Sequence, residues 1–285
     1  MDRFSPLFSH FNVSSTHVFY SGPFCGQNEF VREDGVGHLH ILRRGLIRAS
    51  DGSGQVVIID EPSVIFYPQP CLHRLHSNDI ERAEVVCATI ELGSRLSNPF
   101  FCALPKFLVI PLSRVAGLET ELTLLFAEAF AALPGRQAAL DCLAKYFLIL
   151  LLRHVLEAQL VGEGMFAGLA DEKLGKAMVA MHQQPERSWS LDKLAQVAGM
   201  SRARFAVRFR EIVGTTSMDY MTDWRVSVAQ SSLARGRPLK LVALEVGYTS
   251  PTALARVFSK RVGASPTEWL ARKEGPLKAQ GQLEA

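Results

Sequence analysis

The stretch "QVAGMSRARFAVRFREIVGTTSMDY" (196–220) recurs about fifty residues later as "EVGYTSPTALARVFSKRVGASPTEW" (245–269). Laid over each other, Ala195 meets Ala243 and Gly199 meets Gly247. After one extra residue in the second copy, Phe205 meets Leu254, Phe209 meets Phe258, Gly214 meets Gly263 and Tyr220 meets Trp269. A self-match at fixed spacing requires both copies to take up the same local structure, which few folds allow. Two copies are too few to stack as a solenoid, so the pattern points to one supersecondary unit used twice.

In the first copy, Ser190 is placed to cap a helix whose Leu191, Leu194, Ala195 and Ala198 form one stripe. Gly199 supplies the left-handed residue that ends it. Ser201 then caps a second helix with Phe205, Phe209 and Ile212 facing inward, and the small Ala195 lets the two helices cross closely. This is the helix-turn-helix plan. Arg202, Ala203, Ala206, Val207 and Arg210 fall on the opposite face, small and apolar at its centre and ringed by arginine, which suits the major groove of double-stranded DNA. The second copy repeats the design: "LKLVALEVG" is the supporting helix, Thr249 and Ser250 offer a cap, and Pro251 suits the first helical turn. With Leu254 and Phe258 buried, Thr252, Ala255, Arg256 and Ser259 face out, and Lys260 and Arg261 lie near the DNA backbone. Between the copies, Met221 to Gly236 reads as a connecting helix that holds the two recognition helices a fixed distance apart.

Charge distribution agrees with a polyanion partner for this half. From Asp171 onward there are 18 Lys/Arg against 11 Asp/Glu, whereas the first 170 residues hold 13 against 17. The first 110 or so residues read instead as strands. "HLHILRRGLIRAS", "GQVVIIDEPSVIFYP" and "EVVCATIEL" are rich in β-branched residues and are punctuated by "DGVG", "DGSG", "PQP" and "SNP". Evenly spaced short strands imply a sandwich or barrel. From Val115 the period changes to three and four, giving one helix to Leu133 and a longer one from Arg136 to Leu160. Leu143, Tyr146, Phe147, Ile149, Leu150, Leu152 and Val155 of the longer helix exceed one stripe, so it is expected to pair with a second copy as a homodimer. "VGEGMFAG" (161–168) reads as the linker. No apolar run is long enough to span a membrane and no secretory signal is visible, so a cytoplasmic location is expected. Five cysteines, none in a C-x-x-C pair, suit a reducing compartment.

From about Leu174 to Arg272 the pattern resembles the DNA-binding domain of the AraC/XylS family of transcription regulators. The family's signature lies in the second unit, carried here as "VALEVGYTSPTALARVFSKRVGASPTEW". Pro251 and Ala253 depart from it, standing where polar and aromatic residues are common in the family. The first half resembles the cupin domain found at the N-terminus of many such regulators, and the whole resembles the subgroup that senses reactive chlorine. The resemblance implies an α+β chain: a cupin-like β-barrel with a helical hairpin over residues 1–165, an all-α domain with two helix-turn-helix units over 170–273, and a tail over 274–285. It implies a promoter-binding regulator, an activator that engages RNA polymerase, and a sensor for a small molecule or an oxidant.

Two sensing constellations follow. His38 and His40 lie two apart on one strand and therefore share a face, and His73 comes from another strand. In metal-binding cupins an acidic ligand follows such a pair, but Arg43, Arg44 and Gly45 occupy that stretch here. The histidines are therefore read as sensor residues without a metal or cofactor. A metal-dependent cupin enzyme fused to a DNA-binding domain is the alternative, and no catalytic triad, carboxylate pair or phosphate loop supports an enzyme elsewhere. Cys25, Cys71 and Cys87 are the second constellation. By resemblance, Cys87 matches the strand position of a redox-sensing cysteine, while the early partner cysteine is replaced. Such a role needs an accessible thiol of lowered pKa.

Overall fold

In the computed structural model the described residues are 2–10, 16–33, 35–50, 54–91, 103–131 and 133–273. After a short helix α1 (Ser5–His10), the first half contains β1 (Thr16–Phe24), β2 (Gly26–Phe30), β3 (Val36–Arg44), β4 (Ile47–Ser50), β5 (Val56–Ile59), β6 (Ser63–Tyr67), β7 (His73–Ser77), β8 (Ala83–Glu91) and β9 (Leu108–Pro111). They form two antiparallel sheets with orders β1-β8-β3-β6-β9 and β2-β7-β4-β5. The two sheets face each other as the β-domain expected from the sequence, and among the described residues no ladder joins them.

Alternation along the strands sorts side chains between two cores. From the five-stranded sheet, Leu42, Ile65, Tyr67, Val85 and Cys87 point at the other sheet and meet Ile47, Ala49 and Leu75. Their neighbours Leu39, Ile41, Val64, Phe66, Val86 and Ala88 point the opposite way, at helices α2 (Leu118–Phe130) and α3 (Arg136–Glu157). On α3, Phe147, Leu152 and Val155 are fully buried within the chain. Only Tyr146, which is exposed, and the half-buried Leu143, Ile149 and Leu150 remain from the apolar surplus read in the sequence. No helix among the described residues is long and apolar enough to cross a membrane.

The segment read as a linker turns helical at its midpoint. Gly164 precedes α4 (Met165–Ala170), whose Met165, Phe166, Gly168 and Leu169 are buried. The second half continues with α5 (Leu174–Gln183), α6 (Leu191–Val197), α7 (Arg202–Val213), α8 (Ser217–Ala234), α9 (Leu239–Glu245), α10 (Pro251–Val262) and α11 (Pro266–Lys273). One hydrophobic core runs without a break from the outer face of the five-stranded sheet, through Phe166 and Met178, to Trp269.

Candidate nucleic-acid interface and sensor interior

The two repeated units are built alike atom for atom at their turns. In the first, Met200 N donates to Ala195 O (2.9 Å) and Gly199 N to Gln196 O (3.0 Å). In the second, Tyr248 N donates to Ala243 O (2.8 Å) and Gly247 N to Leu244 O (3.0 Å). The turn glycines have φ of 62° and 80°, the left-handed region that other residues reach only with strain. Ser201 Oγ accepts from Arg204 N and Ser250 Oγ from Ala253 N, capping α7 and α10, and Pro251 opens α10. The inward anchors correspond as well. Phe209 meets Tyr220 edge-on at 5.7 Å and 71°, and Phe258 meets Trp269 at 5.9 Å and 73°. Phe205, Phe209, Leu254 and Phe258 are all fully buried.

That burial turns the opposite faces outward. On α7, Arg202, Ala203, Val207 and Arg210 are exposed and Ala206 is half-buried; on α10, Thr252, Arg256 and Lys260 are exposed and Ala255 and Ser259 half-buried. Val207, 58% exposed, gives this face the apolar centre read from the sequence. Arg202 sits 3.5 Å from Asp192 in a solvent-exposed pair, an interaction weak enough to give way to a phosphate. Among the described residues Arg204, Arg210, Arg256 and Lys260 make no ion pair. Arg261 is also engaged within the domain: it reaches Asp219 at 2.6 Å and Asp223 at 3.2 Å, tying α10 to α8. Arg208 of α7 is likewise occupied, by Asp171. Sequence spacing did not separate these structural arginines from the free ones, because their carboxylate partners lie 37 to 42 residues away in the chain.

In the sensor half, His38, His40 and His73 do come together between the sheets. His73 Nδ1 lies 3.2 Å from Cys71 O, which requires that nitrogen to donate. His73 Nε2 is then an acceptor, and His40 Nε2, 3.0 Å away, must donate to it. That leaves His40 Nδ1 as a buried lone pair without a partner among the described residues. Burial holds all three rings neutral, with His38 lowered to about 4 and His73 to about 3. Phe30 and Tyr67 stack on the two sides of His73, at 4.7 Å and 3.8 Å. The donor set does not suit a metal: two of the imidazoles are committed to each other, and Arg43 and Arg44 pair with Glu84 where an acidic ligand would be needed.

Of the cysteine constellation, Cys71 packs against the cluster that contains Cys87, and Cys25 lies apart from it. Cys87 is 1% exposed and burial raises its thiol pKa far above the ordinary range, so it is neither accessible nor ionised. Across the ladders its partners are Tyr20 on β1 and His40 on β3. Cys25 lies beyond the end of β1, where Phe24 pairs with Ala83, four residues from Cys87 and hence roughly 13 Å along the strand. That is well outside disulfide reach. Cys25 is exposed, but its thiol donates a hydrogen bond to the Asp79 carboxylate, which raises its pKa, and Cys71 is half-buried.

Comparison with known proteins agrees with both halves. A cupin family model matches residues 2–157 and a helix-turn-helix domain model matches residues 194–272. The chain is 28% identical to the RCS-specific HTH-type transcriptional activator RclR of Escherichia coli over 82% of its own length and 84% of that protein. It is 24% identical to the HTH-type transcriptional regulator MtrA of Neisseria gonorrhoeae over 98% and 99% of the two chains. Among solved structures it resembles the DNA-binding domain of AdpA, a global transcriptional factor, in complex with a target DNA, at 30% identity over 36% of this chain and 92% of that one with a TM-score of 0.34. With a cupin domain leading into a duplicated helix-turn-helix, the chain belongs to the AraC-type family of DNA-binding transcription regulators.

Proposed function

We propose that this regulator reads promoter DNA through two equivalent faces, with Arg202, Ala203, Ala206, Val207 and Arg210 of α7 in one major groove and Thr252, Ala255, Arg256, Ser259 and Lys260 of α10 in the next. The observation that carries this is the internal one. Both copies bury the same anchor positions and leave the same positions outward, with unpaired cations there in each. A gel-shift titration against duplexes selected from a random library tests it. Arg210→Ala and Arg256→Ala should each flatten base preference in a different half of the selected site. Unchanged preference in both variants would refute the face assignment.

The sensor is proposed to take a small aromatic signal that brings a hydrogen-bond donor to the His38, His40, His73 cluster. Its support is the buried acceptor His40 Nδ1 within a wall of aromatic rings. An oxidant signal is the weaker branch in this conformation, because Cys87 is sealed. The regulator is further proposed to work in the cytoplasm as a homodimer that recruits RNA polymerase, pairing through Tyr146, Ile149 and Leu150 of α3. Leu150→Asp should then sediment as a monomer, and a folded, dimeric variant would rule this helix out. We read the chain as a regulator and not an enzyme, and its relatives are named as regulators.

A further inference from the structure

The two recognition helices are held from behind by different parts of the molecule. Asp171, whose side chain is 8% exposed, stands where α4 ends and α5 begins. Its Oδ1 accepts from Lys173 N (2.9 Å) and Leu174 N (2.8 Å), closing the first turn of α5. Its Oδ2 accepts from Arg208 Nε (2.9 Å) and also from Arg208 Nη2, a fork on one oxygen. Two more contacts fix the same end of α7. Gly164 N donates to Ile212 O at 2.9 Å, and a Cβ on Gly168 would stand 2.5 Å from Met178 Sδ and 2.7 Å from Val213 Cγ2, so α4 lies hard against α7. For α10 the corresponding clamp is Arg261, and it runs to Asp219 and Asp223 on α8.

We infer that Asp171 is a positioning residue for base reading: by gripping Arg208 it sets the rotation of α7, so the segment joining the two halves determines how the first recognition helix meets DNA. This rests on the proposed reading of α7 and α10. Base recognition tolerates little misplacement, about 0.5 Å or 10–20°, and one two-pronged grip behind a twelve-residue helix is a lever of that order. The clamp on α10 does the same work from α8, which makes the two halves of the DNA site separately adjustable.

The test uses the full-length protein and the duplexes selected by it, with every base pair of the site substituted in turn. Asp171→Asn keeps an oxygen to cap Leu174 and removes the anion that holds Arg208. It should lower discrimination about tenfold at base pairs read by α7 and leave those read by α10 unchanged. Arg208→Lys, which keeps the charge without the fork, should give the same pattern, and Arg261→Lys the mirror pattern. Thermal unfolding checks that each variant is folded; because Arg208 is nearly half-exposed, its variant carries the test if Asp171→Asn fails to fold. Equal losses across both halves, or full discrimination retained at the α7 positions, would overturn the inference. If Arg210→Ala and Arg256→Ala do not themselves map to separate halves, the face assignment falls and the positioning role with it. If they do while Asp171→Asn has no effect, only the positioning role falls.

Discussion

Replacing the two turn glycines by alanine should have unequal effects, although Gly199 and Gly247 occupy the same place in the repeat. Both have positive φ, so any Cβ costs about 1–2 kcal/mol from the left-handed backbone. At Gly199 that is the whole effect, since a Cβ there has no atom within 4 Å. At Gly247 the Cβ would stand 2.7 Å from Glu186 O and 2.8 Å from Arg225 Nη2. The first is backbone and has no rotamer to escape into. The second belongs to a guanidinium that ties down the loop before α6, with Nε donating to Pro185 O (2.7 Å) and Nη2 to Arg187 O (2.8 Å). Displacing it forfeits at least one charged hydrogen bond, about 1.5–3 kcal/mol. Gly247→Ala should therefore lose about 2.5–5 kcal/mol and Gly199→Ala about 1–2 kcal/mol. Urea unfolding of the full chain, followed by tryptophan fluorescence, measures both on one scale. Equal losses in the two variants, or a larger one at Gly199, would refute the reasoning from close approach.

Other substitutions and conditions separate contact from scaffold. Arg256→Ala should lower affinity for the selected site by about 1–3 kcal/mol, whereas Lys260→Ala should weaken all sequences alike and reduce the salt slope by about one ion; gel shifts at several salt concentrations distinguish them. Phe209→Ala and Phe258→Ala should each cost about 3–5 kcal/mol of stability in urea unfolding, and a variant with unchanged stability and altered base preference would contradict their role as anchors. Native protein treated with a maleimide should be labelled at Cys25 and Cys142 and at Cys87 only after unfolding, as peptide mass spectrometry would show. His182, buried against Trp224 and lowered to about 3 by that burial, stays neutral in the fold and protonates when unfolded. Its stabilisation is complete above the ordinary imidazole pKa of about 6.5 and is lost as pH falls below it, by about 1.4 kcal/mol per pH unit. His182→Gln should make the stability curve between pH 6 and 5 shallower by that slope, and an unchanged slope would mean that His182 does not titrate on unfolding.

The repeat was legible because every signal it needs is local. Caps, a left-handed glycine and anchors at helical spacing specify a helix-turn-helix without help from distant residues, and Ser190, Gly199, Ser201 and Phe209 all behave as read. The strands β3, β6 and β8 were legible for the same reason, as apolar runs between turn residues. The strand β1 was not singled out, because "THVFYSGPF" mixes polar residues, Gly and Pro. The helix that begins at Met165 is hidden in the sequence because three of the eight residues of 161–168 are glycine, which reads as looseness. Gly168 is there for the opposite reason, since α4, α5 and α7 meet where only a hydrogen fits. The sealed state of Cys87 is not legible in β8 alone: Val85 and Cys87 on one face and Val86 and Ala88 on the other are all buried, because β8 lies between β1 and β3 with a core on each side, a property of the whole domain.

The unbroken core through Phe166 bears on how this molecule can be cut and recombined. A DNA reader excised at residue 170 would leave behind Met165, Phe166 and Leu169, each fully or almost fully buried, at about 1.5–3 kcal/mol apiece. It would also lose the Gly164 cap on the end of α7. Chimeras that attach a foreign sensor should therefore be joined upstream of Gly164, so that the graft carries α4 with it. By the same reasoning, recombination between relatives within 164–170 would yield proteins whose two halves each fold around a surface made for the other's missing side chains. In this regulator the exchangeable unit begins inside the stretch that looks most like a spacer.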